Sequence, residues 1–146
     1  MKLKLLSVGR PKSDAAAPLV PDYVNRIKKF IPFDDLVLKP ESDNKICKKM
    51  LKEAKSSTLL IAMDETGKLF NSYQFSNLIV SWMNKGYHEV TFTIGGADGL
   101  PKEILDKADL KIGLSKMTLP HRLARLILTE QIYRAFCIYK NVPYQK

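Results

Sequence analysis

Three short stretches hold residues whose types and spacing could do chemistry. Residues 95–101 read Gly-Gly-Ala-Asp-Gly-Leu-Pro, directly behind the apolar run 89–94. Glycine after a buried strand lets main chain approach a ligand with no side chain in the way. The dinucleotide fingerprint would need glycine where Ile94 stands, and a Walker loop would need Gly-Lys-Ser/Thr. Neither pattern is present, so a binding loop for a small ligand and a plain tight turn both stay open here. Residues 115–122 read Ser-Lys-Met-Thr-Leu-Pro-His-Arg. Their main-chain N–H and C=O groups could bond an adenine edge between apolar walls from Met117 and Leu119. The same residues would equally start a helix, with Thr118 as cap and Pro120 at its head. Residues 64–68, Asp-Glu-Thr-Gly-Lys, read as an ordinary strand-to-helix turn.

The charge is a further chemical resource. Lys+Arg number 24 against 15 Asp+Glu, a net +9, which invites an anionic partner with nucleic acid first. The excess is concentrated. Residues 44–55 carry Lys45, Lys48, Lys49, Lys52 and Lys55 against Glu53 alone. Residues 113–146 carry Lys116, Arg122, Arg125, Arg134, Lys140 and Lys146 against Glu130 alone. The first cluster reads as a solvated helix face opposite Ile46, Met50 and Ala54. The second mixes arginine with Tyr133, Tyr139 and Tyr144, side chains that grip phosphates and stack on bases.

These residues need a scaffold, and the alternation of elements defines one. Residues 2–8, 36–39, 58–63, 89–94 and 109–114 read as strands, and 58–63 (Thr-Leu-Leu-Ile-Ala-Met) reads as covered on both faces. Helices are predicted over 19–30, the basic stretch behind Asp43 as cap, 72–85 capped by Ser72 and closed by Gly86, 101–107, and 120–139. The last buries Leu123, Leu126, Ile127, Ile132 and Phe136 in this reading, and residues 9–18 form a loop. The fold class is therefore α/β: a parallel-type sheet with helices on both faces, in one domain spanning 1–146. Ligands bind such sheets at the carboxyl ends of strands, here behind Met63, Ile94 and Leu114. A 146-residue domain buries roughly two-thirds of its unfolded surface and needs no disulfide. Cys47 and Cys137 are too few and too scattered for a framework or zinc site. No run approaches a membrane span and residues 1–6 show no cleavage site, so the expected location is the cytoplasm.

Taken in order, I-G-G-A-D-G-L, then L-S-K-M-T-L-P-H-R, then E-Q-I-Y-R-A with a closing P-Y resemble the RlmH family of the SPOUT methyltransferase superfamily. The resemblance runs from the K-L-K-L-L-S-V-G start through M-D-E-T-G-K to Pro143 and Tyr144. It implies an S-adenosyl-L-methionine-dependent methyltransferase acting on N3 of a pseudouridine in 23S ribosomal RNA; with no appended RNA-binding domain, the expected substrate is one too bulky for a single subunit to specify, the assembled ribosome. It also implies a C-terminal trefoil knot, a homodimer that completes the sites, and no metal. Carried onto this chain, Met63 lines the cofactor pocket, Gly96 lies against the cofactor, and Gly95 and Gly99 shape the turn. Ser115, Lys116, Met117, Thr118, Leu119 and Pro120 form the knot loop around adenine and methionine. Glu130, Arg134, Tyr144, Gln145 and Lys146 face the RNA. Family members usually carry histidine after the tail tyrosine, where this chain has Gln145.

Glutamine cannot act as a base at neutral pH, so catalysis is expected to be electrostatic. Arg134 and Lys146 stabilise the deprotonated ring, and alignment supplies the rest. His121 is a possible base, though a histidine in a first helical turn more often packs or caps, and His88 reads as a surface residue. Competing readings are an RNA-binding SPOUT domain that has lost catalysis, a SPOUT enzyme for another RNA such as transfer RNA, and a small-molecule α/β enzyme.

Overall fold

The computed structural model describes residues 1–10 and 15–144; Gln145, Lys146 and the middle of the 9–18 loop lie outside the described residues. Among the described residues ten elements alternate: β1 (Lys2–Val8), α1 (Leu19–Ile27), β2 (Phe33–Leu38), α2 (Asp43–Glu53), β3 (Leu59–Leu69), α3 (Ser72–Asn84), β4 (Glu89–Ile94), α4 (Lys102–Lys107), β5 (Leu110–Gly113) and α5 (His121–Tyr139). The strands form one sheet in the order β2-β1-β4-β3-β5, with every pairing parallel. The expected α/β class holds. Among the described residues no helix is long and apolar enough to cross a membrane.

Period-two alternation on β1 decides which helices cover which face. Leu3 and Leu5 pack with α1, α3 and α5 in the larger cluster, among Val24, Ile27, Phe75, Ile79, Trp82, Ile132 and Phe136. Leu6 and Val8 point the other way, onto Ile46, Cys47 and Met50 of α2 and Ile104 of α4. Central β4 is buried at all six positions, which is why its sequence is near-continuously apolar or threonine. The lysines of α2 are exposed while Ile46, Cys47 and Met50 are buried, as the charge pattern predicts.

Several boundaries differ from the sequence reading, each for an identifiable reason. β2 starts at Phe33 because Asp34 and Asp35 are neutralised by Lys2 and Arg125. The cap of α2 is Ser42, whose hydroxyl accepts from Lys45 N at 3.4 Å, so Asp43 is already in the first turn. Asn71, not Ser72, caps α3: its side chain accepts from Gln74 N at 2.8 Å and Gln74 Oε1 accepts from Asn71 N at 2.9 Å. On α5 the buried stripe is Leu128, Ile132, Ala135 and Phe136. Leu123 and Ile127 lie about 100° or more around the helix from Leu128 and are exposed, contrary to expectation.

The largest difference falls at the end of β3. Residues 64–68 are not a turn into a helix, because the strand resumes after an excursion and runs on to Leu69. Ile112 is consequently in register with both Met63 and Lys68. The excursion lies on the β5 main chain: a Cβ at Gly67 would come within 2.7 Å of Ile112 backbone atoms. Only glycine permits that approach.

At the opposite end of the sheet sits a buried polar cluster. Glu89 accepts from Ser57 Oγ at 2.7 Å and Ser56 Oγ at 3.1 Å, and lies 3.8 Å from Lys4 Nζ. Lys4 also donates to the Glu53 carbonyl at 2.7 Å. Burial pushes the Glu89 carboxyl up, but the serine hydrogen bonds and the charges of Lys4 and Lys2 outweigh it, leaving the pKa below the ordinary value.

Candidate active site

The three strand ends singled out by the sequence meet around one cavity of about 410 Å³. The end of β3 contributes Met63, Asp64 and Glu65; the loop behind β4 contributes Ile94 through Leu100; the segment behind β5 contributes Leu114, Ser115, Met117, Thr118 and Leu119. His121 and Ala124 close it from the first turns of α5. Of the residues expected around a cofactor, only Lys116 and Pro120 do not line it. Lys116 is exposed, and Pro120 occupies the cap position of α5 without a side-chain cap bond.

Local hydrogen bonds hold these loops. Gly99 N donates to the Gly96 carbonyl at 3.0 Å, closing a turn in which Gly99 has φ of +80°. A Cβ at Gly95 would lie 2.1 Å from the Gly99 carbonyl carbon, so the two ends of the loop meet main chain to main chain. Met117 N donates to Ser115 Oγ at 3.0 Å. The Thr118 hydroxyl donates to Glu65, joining the β3 excursion to the segment before α5. That link was missed from sequence, because 64–68 read as a generic turn and Thr118 as a helix cap.

The residues expected to face RNA form a second group. Glu130 Oε1 accepts from Arg134 Nε at 3.0 Å, from Arg134 Nη2 at 2.5 Å and from Tyr144 Oη at 2.9 Å. The Arg134 guanidinium also lies 4.8 Å from the Tyr144 ring centre, and Tyr23 Oη is 3.3 Å from Tyr144 Oη. Burial, then the neighbouring Tyr23 and Glu130, push the Tyr144 pKa up, so this phenol remains a donor. Glu130 pushes the Arg134 pKa further up as well, keeping its charge. Arg134 stands thirteen residues beyond His121 on α5. At about 1.5 Å per residue that is about 20 Å from the cavity wall along the helix.

His88 is exposed, and Trp82, Phe75 and Ile79 are core. Cys137 is buried in α5, and Cys47 donates to Glu103 Oε2 at 3.0 Å. Burial and that carboxylate push the Cys47 thiol up to about 11. Among the described residues no group of three or more His, Cys, Asp or Glu gathers as for a metal.

Fold and cavity together define an α/β protein with a small-molecule site at the carboxyl ends of parallel strands. Comparisons narrow the class. Residues 1–145 match the family model described as "Predicted SPOUT methyltransferase". The chain is 37% identical over 155 residues to the "Ribosomal RNA large subunit methyltransferase H" of Anaeromyxobacter sp. (strain Fw109-5), covering 100% of both chains. It is 39% identical over 161 residues to the protein of that name from Streptococcus pyogenes serotype M5 (strain Manfredo), again covering 100% of both. A probable methylase family protein from Haemophilus influenzae Rd KW20 shares the fold at a TM-score of 0.61 and 13% identity, over 99% of this chain and 70% of that one. A probable methyltransferase from Bordetella pertussis Tohama I does so at 0.59 and 12%, over 91% and 95%. The chain belongs to the SPOUT methyltransferase family.

Proposed function

We propose that this protein is an S-adenosyl-L-methionine-dependent methyltransferase of large-subunit ribosomal RNA, acting on N3 of a pseudouridine in the 23S molecule. The single observation that carries this reading is the convergence of three strand-end loops on one cavity whose floor at Gly95 and Gly96 is bare main chain. The residues present suit the cofactor. The volume of about 410 Å³ falls in the usual small-molecule range of roughly 300–1,000 Å³. Met63, Met117 and Leu119 offer apolar walls, while Asp64, Glu65 and Asp98 supply negative charge for a sulfonium and an ammonium. Met63, Gly95, Gly96, Gly99, Ser115, Met117, Thr118 and Leu119 would hold it, with Lys116 and Pro120 fixing the course of the segment. When bound, S-adenosyl-L-methionine supplies an electrophilic methyl group for in-line displacement by a ring nitrogen.

The chain's own contribution is alignment and charge. Glu65, through Thr118, keeps the 115–119 segment in place over the cavity. Glu130 orients Arg134 and Tyr144 as a unit, so the guanidinium is presented with its geometry already fixed. Arg134 and Lys146 stabilise a ring that has lost its N3 proton to solvent. Because Arg134 lies about 20 Å along α5 from the cavity wall of its own chain, a second copy is needed to bring the two groups together. The exposed Leu123 and Ile127 of α5 give such a homodimer an apolar surface. The trefoil threading and the cytoplasmic location belong to the same proposal.

The deciding experiment incubates the protein with methyl-labelled S-adenosyl-L-methionine and either assembled ribosomes or free 23S RNA lacking the modification. Mass spectrometry of RNA fragments is expected to show one added methyl on a pseudouridine, with ribosomes as the better substrate. Label confined to transfer RNA, or RNA binding without transfer, would replace this reading with one of its competitors.

A further inference from the structure

Gln131 follows Glu130 in the E-Q-I-Y-R-A stretch and hydrogen-bonds to its carboxylate. We infer that Gln131, braced by Ser72, is a positioning residue for methyl transfer, fixing the carboxylate that aims Arg134. The inference rests on the methyltransferase reading and deepens it.

Occupancy of the carboxylate is the first argument. Oε1 of Glu130 takes Arg134 Nε at 3.0 Å, Arg134 Nη2 at 2.5 Å and Tyr144 Oη at 2.9 Å. Oε2 takes the Gln131 amide nitrogen at 2.8 Å. Among the described residues, Gln131 is the donor on that second oxygen. The last side-chain torsion of a glutamate is broad, so its carboxylate plane is not set by the chain itself. Donors gathered on one oxygen define where that oxygen lies. A donor on the other defines the plane.

Direction is the second. With the amide flipped, Gln131 would set oxygen against the carboxylate oxygen, so Glu130 selects the orientation that presents Nε2. Gln131 Oε1 then faces Ser72, whose hydroxyl donates to it at 2.7 Å. On the far side the carboxylate accepts from the Tyr144 hydroxyl, so the Tyr23 hydroxyl, 3.3 Å from Tyr144 Oη, is the donor of that pair. One chain from α3 and one from α1 therefore both point their protons toward Glu130.

Rigidity is the third. An arginine and a glutamate at i,i+4 on a free helix face swing and hold each other weakly. Here the two side chains are 27% and 17% exposed, and Gln131 ties the carboxylate to a second helix. Ser72 is the first residue of α3, whose start is fixed by the capping box of Asn71 and Gln74. One turn on, Ser76 Oγ donates to the Ala135 carbonyl at 2.7 Å and joins α3 to α5 again. A charge that acts by alignment needs such support from packed elements, and Gln131 transmits it from α3.

The test compares the parent with Gln131→Leu, Ser72→Ala, their double variant and Gln131→Glu, in methyl transfer to ribosomes lacking the modification. Gln131→Leu is expected to lower kcat about tenfold and leave S-adenosylhomocysteine affinity within about twofold by calorimetry. Ser72→Ala should lower kcat about threefold. The double variant should be no slower than Gln131→Leu, since Ser72 acts only through Gln131. Gln131→Glu sets two carboxylates together, and once protonated its side chain donates to Glu130 as the amide does. Its kcat relative to the parent should therefore climb as pH falls from about 8 to about 5.5. The Arg134 Nε–H signal, followed by NMR, should be sharp in the parent and broadened in Gln131→Leu. A kcat for Gln131→Leu within about twofold of the parent, additive losses in the double variant, a pH-independent ratio or an unchanged Arg134 signal would overturn the inference. If Gln131→Leu does not fold by circular dichroism, Ser72→Ala carries the same rate and NMR comparisons. Failure of the methyltransferase reading looks different: the parent itself would transfer no methyl to ribosomal RNA, while the Arg134 signal would still report on Gln131.

Discussion

Gly95 and Gly96 are adjacent, yet the structure gives them opposite tolerance to one methyl group. A Cβ at Gly95 would lie 2.1 Å from the Gly99 carbonyl carbon and 2.4 Å from both Gly99 O and Leu100 N. All three are main-chain atoms, so relief requires opening the loop by about 1 Å or more. A misplacement of that size in a binding loop costs about a hundredfold, or about 2.7 kcal/mol. At Gly96 the nearest atom is Val8 Cγ1 at 3.2 Å, a side chain that needs to give only a few tenths of an ångström. Gly96 is not in the left-handed region, so alanine there also gains about 0.4–1 kcal/mol from a less flexible unfolded chain. Gly95→Ala is therefore expected to weaken S-adenosylhomocysteine binding by about a hundredfold, while Gly96→Ala changes it by less than about fivefold. Calorimetry on both variants, with circular dichroism melts to confirm folding, reads the difference. Equal affinities for the two, or a weaker Gly96→Ala, would refute the assignment of the floor.

Three further outcomes are expected. Glu65→Gln weakens the Thr118 link and should reduce cofactor affinity by about 1 kcal/mol, roughly fivefold, without lowering the melting temperature measurably. The Glu89 carboxyl is held below its ordinary value of 4.5, so its stabilisation is complete above that pH and is lost as pH falls through the lower folded value. Glu89→Gln should cost about 3 kcal/mol at neutral pH by leaving Lys4 without its counter-charge, and should flatten the acid limb of a stability-against-pH curve. The Cys47 thiol, raised from 9.0 to about 11, should react with iodoacetamide at pH 8 about a hundredfold more slowly than in unfolded protein, as mass spectrometry of timed samples would report.

The architecture was legible because hydrophobic pattern carries it. Strand β4 is apolar or threonine at nearly every position and is buried at every position, and the lysines of α2 mark its solvent face as directly as Ile46 and Met50 mark its core. The loops that line the candidate site were legible one at a time, since glycine runs and a proline-headed helix leave local signatures. What could not be read was anything set by contacts distant in sequence. Thr118 reads as a cap until Glu65, 53 positions away, is seen to hold it. Residues 64–68 have turn composition and still form part of a strand, because β5 supplies the partner for Lys68 and Leu69. A smaller cavity beside the first, of about 270 Å³, joins residue 8 to residues 46, 96 and 121, a set with no local pattern at all. Exposure of Leu123 and Ile127 was hidden for a related reason: two helix faces are apolar, and only the packing of α5 decides which goes inward.

The two outer strands of the sheet have a consequence for how copies of this chain can associate. An unpaired strand edge ordinarily invites another chain to add to it. Here one edge is β5, only four residues long and overlain by the β3 excursion at Gly67. The other is β2, which follows Pro32, precedes Pro40 and carries Asp34 and Asp35. Neither offers a long apolar ladder to extend. Growth by strand addition, the usual route from parallel sheet to fibril, is thereby blunted at both ends. What the molecule leaves open to other copies of itself is helix surface, where Leu123 and Ile127 of α5 are exposed.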